Sequence, residues 1–339
     1  MIFFRADGNE KIGTGHIMRC MSIAEEFISK GESCAFILAQ DTFKGYIEEK
    51  GCDTYILNSD YTDMRGEIKK LCSLIDRKNP DMIIVDSYYV TPEYLHSLND
   101  ICKTVYIDDM LKFPYEVDCI INYNIYGDME RYNDLYYNSN TEMPMTLVGS
   151  KYTPLRNEFK KIEKRKIELD VKRVLFSAGG ADPEHMTRRL VKYIQKNPNR
   201  YIFDIVVGTA NTDLDEIIKM SDGEKIVVHS NVKNMSLLMM QCDVAVSAAG
   251  TTLYELCACG IPTITYILAD NQINSANAFE SCGVMKLLGD IRKQSGIEEK
   301  IISKIDALAG DKTAREKMSK SMQTLVDGQG TRRIADMLL

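Results

Sequence analysis

Two kinds of stretch alternate along the chain. Short apolar, β-rich runs stand at 2–7 (IFFRAD), 34–39 (CAFILA), 54–57 (TYIL), 82–87 (MIIVDS), 104–109 (TVYIDD) and 119–122 (CIIN). Longer amphipathic stretches separate them, and this alternation predicts βαβ units around a parallel sheet. A charged stretch from 160 to 173 (KKIEKRKIELDVKR) lacks a continuous apolar face and reads as linker. The rhythm then restarts at 174–180 (VLFSAGG), 201–208 (YIFDIVVG), 225–230 (KIVVHS), 243–250 (DVAVSAAG), 262–268 (PTITYIL) and 284–288 (VMKLL). The expected fold class is therefore α/β, with two doubly wound Rossmann-like domains. Their expected bounds are 1–155 and 173–325, with a linker over 156–172 and a C-terminal helix over 326–339. In open α/β sheets ligands sit beyond the carboxyl ends of the strands. Two such sheets are expected to face an interdomain cleft, so polar residues just after strands carry the candidate chemistry.

Length agrees with two domains, since 339 residues exceed what one core usually serves. Lys and Arg number 42 against 49 Asp and Glu, a net charge of −7 without a basic stripe, which argues against nucleic acid as a partner. The ten cysteines lie in apolar segments, among them Cys34, Cys119, Cys242 and Cys257, and none forms a CxxC or Cys/His set. They read as buried thiols of a reducing compartment. Neither a secretory signal pattern nor an apolar run of membrane-spanning length occurs, so a cytoplasmic protein without stable membrane association is expected.

The first strand runs into GTGHIMRC, residues 13–20. Gly13 and Gly15 permit a tight turn, which puts His16, one of only four histidines, in the first turn of a helix. A helix N-terminus disfavours imidazolium, which keeps the ring neutral and able to take a proton. A histidine that merely caps the helix would look the same in sequence. His96 and His229 have no comparable setting, although His185 lies close to the turn at 177–183. Strand ends also supply Asp86 and Tyr88, and the pair Asp108 and Asp109. Consecutive strand residues point to opposite faces, so the latter pair is not expected to share a metal.

In the second half, SAAGTTLYELCACGIP (247–262) reads as a strand, a small-residue turn at Gly250 and a helix opened by Thr251 and Thr252. Free N–H groups and the helix dipole there can hold a diphosphate without lysine, and Glu255, one turn on, can accept both hydroxyls of a ribose. Ordinary strand–helix packing with a surface glutamate fits the same residues. The turn SAGGADP (177–183) has glycines for close ligand approach but is no GxGxxG, and GxxxxGK[ST] is absent, which counts against nicotinamide and P-loop chemistry.

Taken together, FRADGNEKIGTGHIMRC, VDSYY, IDDM, GSKYTPLRNEF, SAGGADP, AAGTTLYEL and ADNQ occur in the order and at the spacing of a known family. Over nearly its whole length the chain resembles the UDP-2,4-diacetamido-2,4,6-trideoxy-β-L-altropyranose hydrolases of pseudaminic acid biosynthesis. That family is similar to the glycosyltransferase that forms lipid II, and the resemblance implies the GT-B architecture with the nucleotide on the C-terminal domain. It implies His16 as catalytic base, with Asp7 and Tyr88 near the sugar. Gly250, Thr251 and Thr252 would hold the diphosphate, Glu255 the ribose, and Asn271 and Gln272 the sugar. Uracil would meet backbone groups from Val232 to Met235. Gly13, Gly15, Arg19, Asp86, Gly179 and Gly180 would complete the substrate-binding surface. One departure is Ala249, where relatives commonly carry a further glycine.

The reaction so implied is hydrolysis of the anomeric C–O bond of a UDP-sugar with inversion, free of metal and cofactor. UDP leaves as a weakly basic phosphate, of pKa about 6, so a base and an anion hole suffice. The cleft motifs fit a GT-B glycosyltransferase equally, with a sugar or lipid hydroxyl in place of water. A non-catalytic nucleotide-sugar sensor is a third reading, and it would leave His16 without a task. Oligomeric state is not legible in the sequence.

Overall fold

The computed structural model describes residues 1–9 and 12–339. Its backbone divides into two compact units, Met1–Asn157 with Gln329–Leu339, and Glu158–Gly328. The first contains β1 (Ile2–Ala6), β2 (Cys34–Leu38), β3 (Asp53–Ile56), β4 (Met82–Asp86), β5 (Thr104–Ile107), β6 (Cys119–Asn122) and β7 (Met145–Val148). They pair in the order β3-β2-β1-β4-β5-β6-β7, every pair parallel. The strand MTLV at 145–148 goes beyond the predicted set. It is short and half-buried at the sheet edge, so its hydropathy is weak.

Central strands of this sheet are buried on both faces. On one, Phe3, Ile37, Ile83, Val85 and Ile120 pack with Leu71, Leu74 and Ile75 of helix Met64–Lys78 and Tyr94, Leu95 and Leu98 of helix Pro92–Asn99. On the other, the Phe4 ring stacks on Phe36 at 5.0 Å and meets Phe27 of helix Gly15–Ser29. This is why the strands read as continuous apolar runs rather than as alternating ones.

The second unit contains β8 (Arg173–Ser177), β9 (Ile202–Val207), β10 (Ile226–Ser230), β11 (Val244–Ala248), β12 (Thr263–Ile267) and β13 (Lys286–Asp290). Their order is β10-β9-β8-β11-β12-β13, again parallel throughout. In each sheet the winding reverses beside the first strand, between β1 and β4 and between β8 and β11. Those are the topological switch points, where a crevice opens at the strand ends.

The stretch read as linker is anchored within the second unit. Phe159 is fully buried, and the Arg165 guanidinium donates to the carbonyls of Cys259 (2.9 Å), Cys242 (2.7 Å) and Met239 (2.7 Å). Alternating charges conceal this in the sequence, because one half-buried arginine among exposed lysines leaves no periodicity. The last helix, Gly330–Leu338, returns to the first unit. There Lys30 pairs with Asp336 at 2.6 Å and Lys103 donates to the Leu338 carbonyl at 2.8 Å. A side chain at Gly330 would collide with the backbone of Thr153, its Cβ only 2.0 Å from the carbonyl oxygen, so the close crossing requires glycine.

Candidate functional site

In the first unit the switch point brings the end of β1 next to the end of β4, with Ala6 in register with Asp86. The chain leaves β1 through Gly13, at φ +72°, which lies in the left-handed region where glycine is favoured, and enters helix Gly15–Ser29. Glu10 and Lys11, part of the motif that spans this turn, lie outside the described residues. His16 and Arg19 are three apart on one helix face, so both side chains reach Asp86.

His16 Nδ1 lies 2.6 Å from Asp86 Oδ1. Arg19 donates through Nε to Asp86 Oδ2 and through Nη2 to Oδ1, each at 2.5 Å, and the Cys20 thiol reaches Oδ2 at 3.5 Å. Burial alone would raise the Asp86 carboxyl, but Arg19 first and His16 second outweigh it and hold it well below the usual carboxylate range. An ionised carboxylate only accepts, so the hydrogen of a neutral His16 ring sits on Nδ1 and the Nε2 lone pair is left for another proton.

Arg19 is shared further, with Asp109 Oδ2 at 2.8 Å and Tyr123 Oη at 2.7 Å. Tyr88 stands edge-on to His16, ring centroids 4.5 Å apart, and its hydroxyl donates to Asp109. Burial, then Asp109, pushes the Tyr88 phenol above its ordinary range. The cluster thus holds two carboxylates and one guanidinium, and a proton captured by His16 brings it to neutrality.

His16 is 5% exposed, packed against Asp86, Arg19 and Tyr88. Asp86 and Arg19 are paired with each other and with His16. Asp7 belongs to a different network, accepting from Arg5 Nη1 (2.5 Å) and from the Ala39 backbone N–H (2.8 Å). Asp108, just past the end of β5, shares no hydrogen-bond partner with Asp109 among the described residues and accepts from Tyr115 and Tyr132 and from the N–H groups of Met110 and Leu111. Tyr123, absent from the predicted set, follows β6 between Asn122 and Asn124, and no local pattern marks it in the sequence. Among the described residues no group of three or more His, Cys, Asp or Glu side chains could hold a metal ion.

In the second unit the ends of β8 and β11 are neighbours, Ser177 in register with Ser247. Gly179 has φ +84°, and a Cβ at Gly179, Gly180 or Gly250 would meet nothing within 4 Å, so these turns leave open space for a ligand. Gly208 backs the first of them so closely that a Cβ there would lie 2.3 Å from the Gly180 carbonyl oxygen.

Helix Thr252–Cys259 starts one residue later than expected, and the Thr251 side chain makes no capping hydrogen bond. The Gly250 N–H donates to the Ala248 carbonyl (2.8 Å), whereas among the described residues no acceptor meets the N–H of Thr251 or Thr252. These two amides, at the positive end of the helix, form an anion-binding arrangement. Glu255 is half-buried on the same helix.

Asn271 is exposed in the turn after β12, and Gln272 is committed in part, its Oε1 accepting from the Leu268 N–H at 3.0 Å. Val232 and Met235 are half-buried after β10, where Asn234 caps the helix beginning at Met235. His185 contacts Asp213 at 2.6 Å through Nδ1. Eight of the ten cysteines are buried, and burial pushes the Cys34 and Cys119 thiols up to about 12. Among the described residues no helix is long and apolar enough to cross a membrane.

Residues 174–336 match the glycosyltransferase family 28 C-terminal domain. The spore coat polysaccharide biosynthesis protein SpsG of Bacillus subtilis is 24% identical, across 98% of this chain and 96% of its own length. A UDP-2,4-diacetamido-2,4,6-trideoxy-β-L-altropyranose hydrolase from Campylobacter jejuni is 23% identical over 75% of this chain and 86% of that protein. An uncharacterised protein of Methanocaldococcus jannaschii is 25% identical over 79% of this chain, and the match spans only 55% of that longer protein. Among solved structures, Acinetobacter baumannii MurG superposes with a TM-score of 0.67 at 10% identity, over 99% of this chain and 98% of its own. The spinosyn rhamnosyltransferase SpnG, complexed with thymidine diphosphate, gives 0.64 at 13% identity, over 99% and 100%. The two parallel-sheet units and these neighbours establish the GT-B fold.

Proposed function

We propose that the chain hydrolyses a UDP-sugar at the anomeric C–O bond with inversion, releasing UDP and a free acetamido deoxy sugar of the 2,4-diacetamido-2,4,6-trideoxy class. The observation that carries this reading is the buried His16–Asp86 pair, with Nδ1 turned to the carboxylate and Nε2 left as proton acceptor. Similarity to the Campylobacter hydrolase supports the choice of reaction.

In this mechanism His16 Nε2 takes a proton from water as the water oxygen bonds to C1. The C1–O bond breaks on the opposite face, and its electron pair leaves with the β-phosphate of UDP. A phosphate leaving group of low basicity needs no protonation by a strong acid. The amides of Thr251 and Thr252 receive the diphosphate charge beside the open turns at Gly179, Gly180 and Gly250. Glu255 takes the ribose, the backbone from Val232 to Met235 the uracil, and Asn271 and Gln272 the sugar. Asp86 stabilises the imidazolium that forms, as the carboxylate of a His–Asp pair does in acyl-transfer enzymes.

A second reading, transfer of the sugar to a hydroxyl acceptor, has its own support in the glycosyltransferase family 28 match over 174–336. Turnover of UDP-sugars in oxygen-18 water, read by mass spectrometry, separates the two. Hydrolysis at carbon puts one label in the free sugar and none in UDP. Label in UDP would mean P–O cleavage and would sink the mechanism, and UDP release that requires an added acceptor would favour transfer.

Glu255 offers a test of the nucleotide half. Glu255→Ala is expected to weaken UDP and UDP-sugar binding together by about 1.5–3 kcal/mol, the range for hydrogen bonds to a charged group. The ribose contact is the same in ground and transition states, so kcat should change little once substrate saturates. Calorimetry with UDP checks this; unchanged affinity with lost turnover would put Glu255 in the chemistry instead.

A further inference from the structure

The first unit holds a second buried charge cluster, and its donors are unevenly shared. Arg5, fully buried on β1, donates to Glu67 Oε1 at 2.7 Å and Oε2 at 2.9 Å, and to Asp7 Oδ2 at 2.5 Å. Glu67 also accepts from Tyr94 Oη (3.0 Å) and Ser59 Oγ (2.6 Å), which gives it four donors. Among the described residues Asp7 has two, Arg5 and the N–H of Ala39. An ionised carboxylate offers about four acceptor positions, and a buried one short of donors is costly. One guanidinium thus serves two carboxylates, and the less satisfied one stands where a ligand can reach it.

Asp7 lines a recess at the carboxyl ends of β1 and β2, with about 380 Å³ of empty space open to solvent. Leu38, Ala39 and Phe43 give it apolar walls, and Asn9, Gln40, Thr42 and Tyr61 add polar groups to the lining. Gly8 forms part of it as well: a Cβ there would fall 2.7 Å from the Phe43 ring and 3.0 Å from Ile17. Ile17 is the residue after His16, so the recess lies alongside the first turn of the helix that carries the base.

We propose that this recess is a specificity site for an acylamino substituent of the sugar. The amide N–H donates to Asp7, and the acyl methyl packs against Phe43, Leu38 and Ala39. A hydroxyl would satisfy the carboxylate but leave the apolar walls to water. An alkyl group would fill the walls and leave Asp7 short of a donor. An acylamino group meets both demands. This inference rests on the UDP-sugar reading above and adds which part of the sugar is selected, and where.

The chain contains no tryptophan, so Phe43→Trp installs a single fluorescent reporter in the recess. It is titrated with pairs of UDP-sugars that differ by acetamido or hydroxyl at one ring carbon, each acetamido-bearing carbon being taken in turn. For one carbon, emission should shift saturably with the acetamido compound and not with its hydroxyl partner. In parallel, Thr42→Phe narrows the recess from an exposed position and leaves the Arg5 network intact. The preference in kcat/KM for the acetamido compound, expected near about 100-fold in the native chain, should fall by about tenfold or more. UDP affinity measured by calorimetry should not move. Equal emission responses within every pair, or a preference untouched by Thr42→Phe, with UDP still bound, overturn the recess proposal alone. Absence of affinity for UDP and for every UDP-sugar overturns the nucleotide reading and this inference with it.

Discussion

His16→Asn is expected to lose turnover by about 100-fold to 10,000-fold, the usual worth of a positioned general base, while UDP affinity stays at the native value. Asparagine is the informative replacement because its amide nitrogen can stand where Nδ1 stands and still donate to Asp86 Oδ1, now 2.6 Å from the ring. The buried carboxylate then keeps its donors and the helix start is undisturbed. What disappears is the lone pair at Nε2. In the native chain kcat/KM should show an acidic limb, because protonation fills that lone pair, and the limb should be missing from the residual activity of the mutant. Calorimetry for UDP and a coupled assay for its release measure the two halves. Normal turnover in the mutant would reduce His16 to a structural residue of the turn.

Asp86→Asn should combine a catalytic loss with a stability loss. An asparagine amide can donate to Nδ1, which moves the ring hydrogen to Nε2 and removes the acceptor; the corresponding exchange in a Ser–His–Asp triad costs about 10,000-fold. A loss of that order is expected here, again with UDP affinity unchanged. Asp86 is also fully buried and accepts three N–H groups from His16 and Arg19, so breaking the pair should cost about 3–5 kcal/mol in denaturant titrations.

The pH dependence has a definite direction. Burial opposes ionisation of Asp86, but Arg19 and His16 hold its carboxyl below the ordinary value near about 3.9. Its contribution to stability is therefore complete above that value and is lost as pH falls through it towards the folded one. The stability gap between native chain and mutant should be widest near neutral pH and begin to narrow below about pH 4. A gap that stays constant down to pH 3 would mean that the carboxylate is not held by these partners.

Much of this arrangement was legible in the chain. The strand CIIN was located to the residue as Cys119–Asn122, and most of the other predicted strands end within one or two residues of the observed ones. Strands buried on both faces give unbroken apolar runs, which is a strong signal. Arg19 was legible only as part of a motif, and its sharing among Asp86, Asp109 and Tyr123 was not. The partners come from the ends of β4, β5 and β6, up to 104 positions away, and local pattern carries no trace of such pairings. Asp7 and Asp86 both read as polar strand ends facing substrate. One lies in the Arg5–Glu67 network and the other behind His16, a difference set by the partners each meets: Arg5 and the Ala39 N–H for Asp7, helix Gly15–Ser29 for Asp86.

By itself, the sequence determined the α/β class, the two parallel sheets, the glycine at position 13 and the placing of His16 at a helix start. Each follows from local rules: hydrophobic period, backbone freedom and the chemistry of a helix terminus. Tertiary structure alone decided which nitrogen of His16 meets a carboxylate, because that depends on Asp86 arriving from β4 at 2.6 Å from Nδ1. It also decided that Arg165 is anchored within the second unit and that the last helix returns to the first. Covalent neighbours fix what a side chain is, but the direction of a hydrogen bond is set by the partner that the sheet order brings to it.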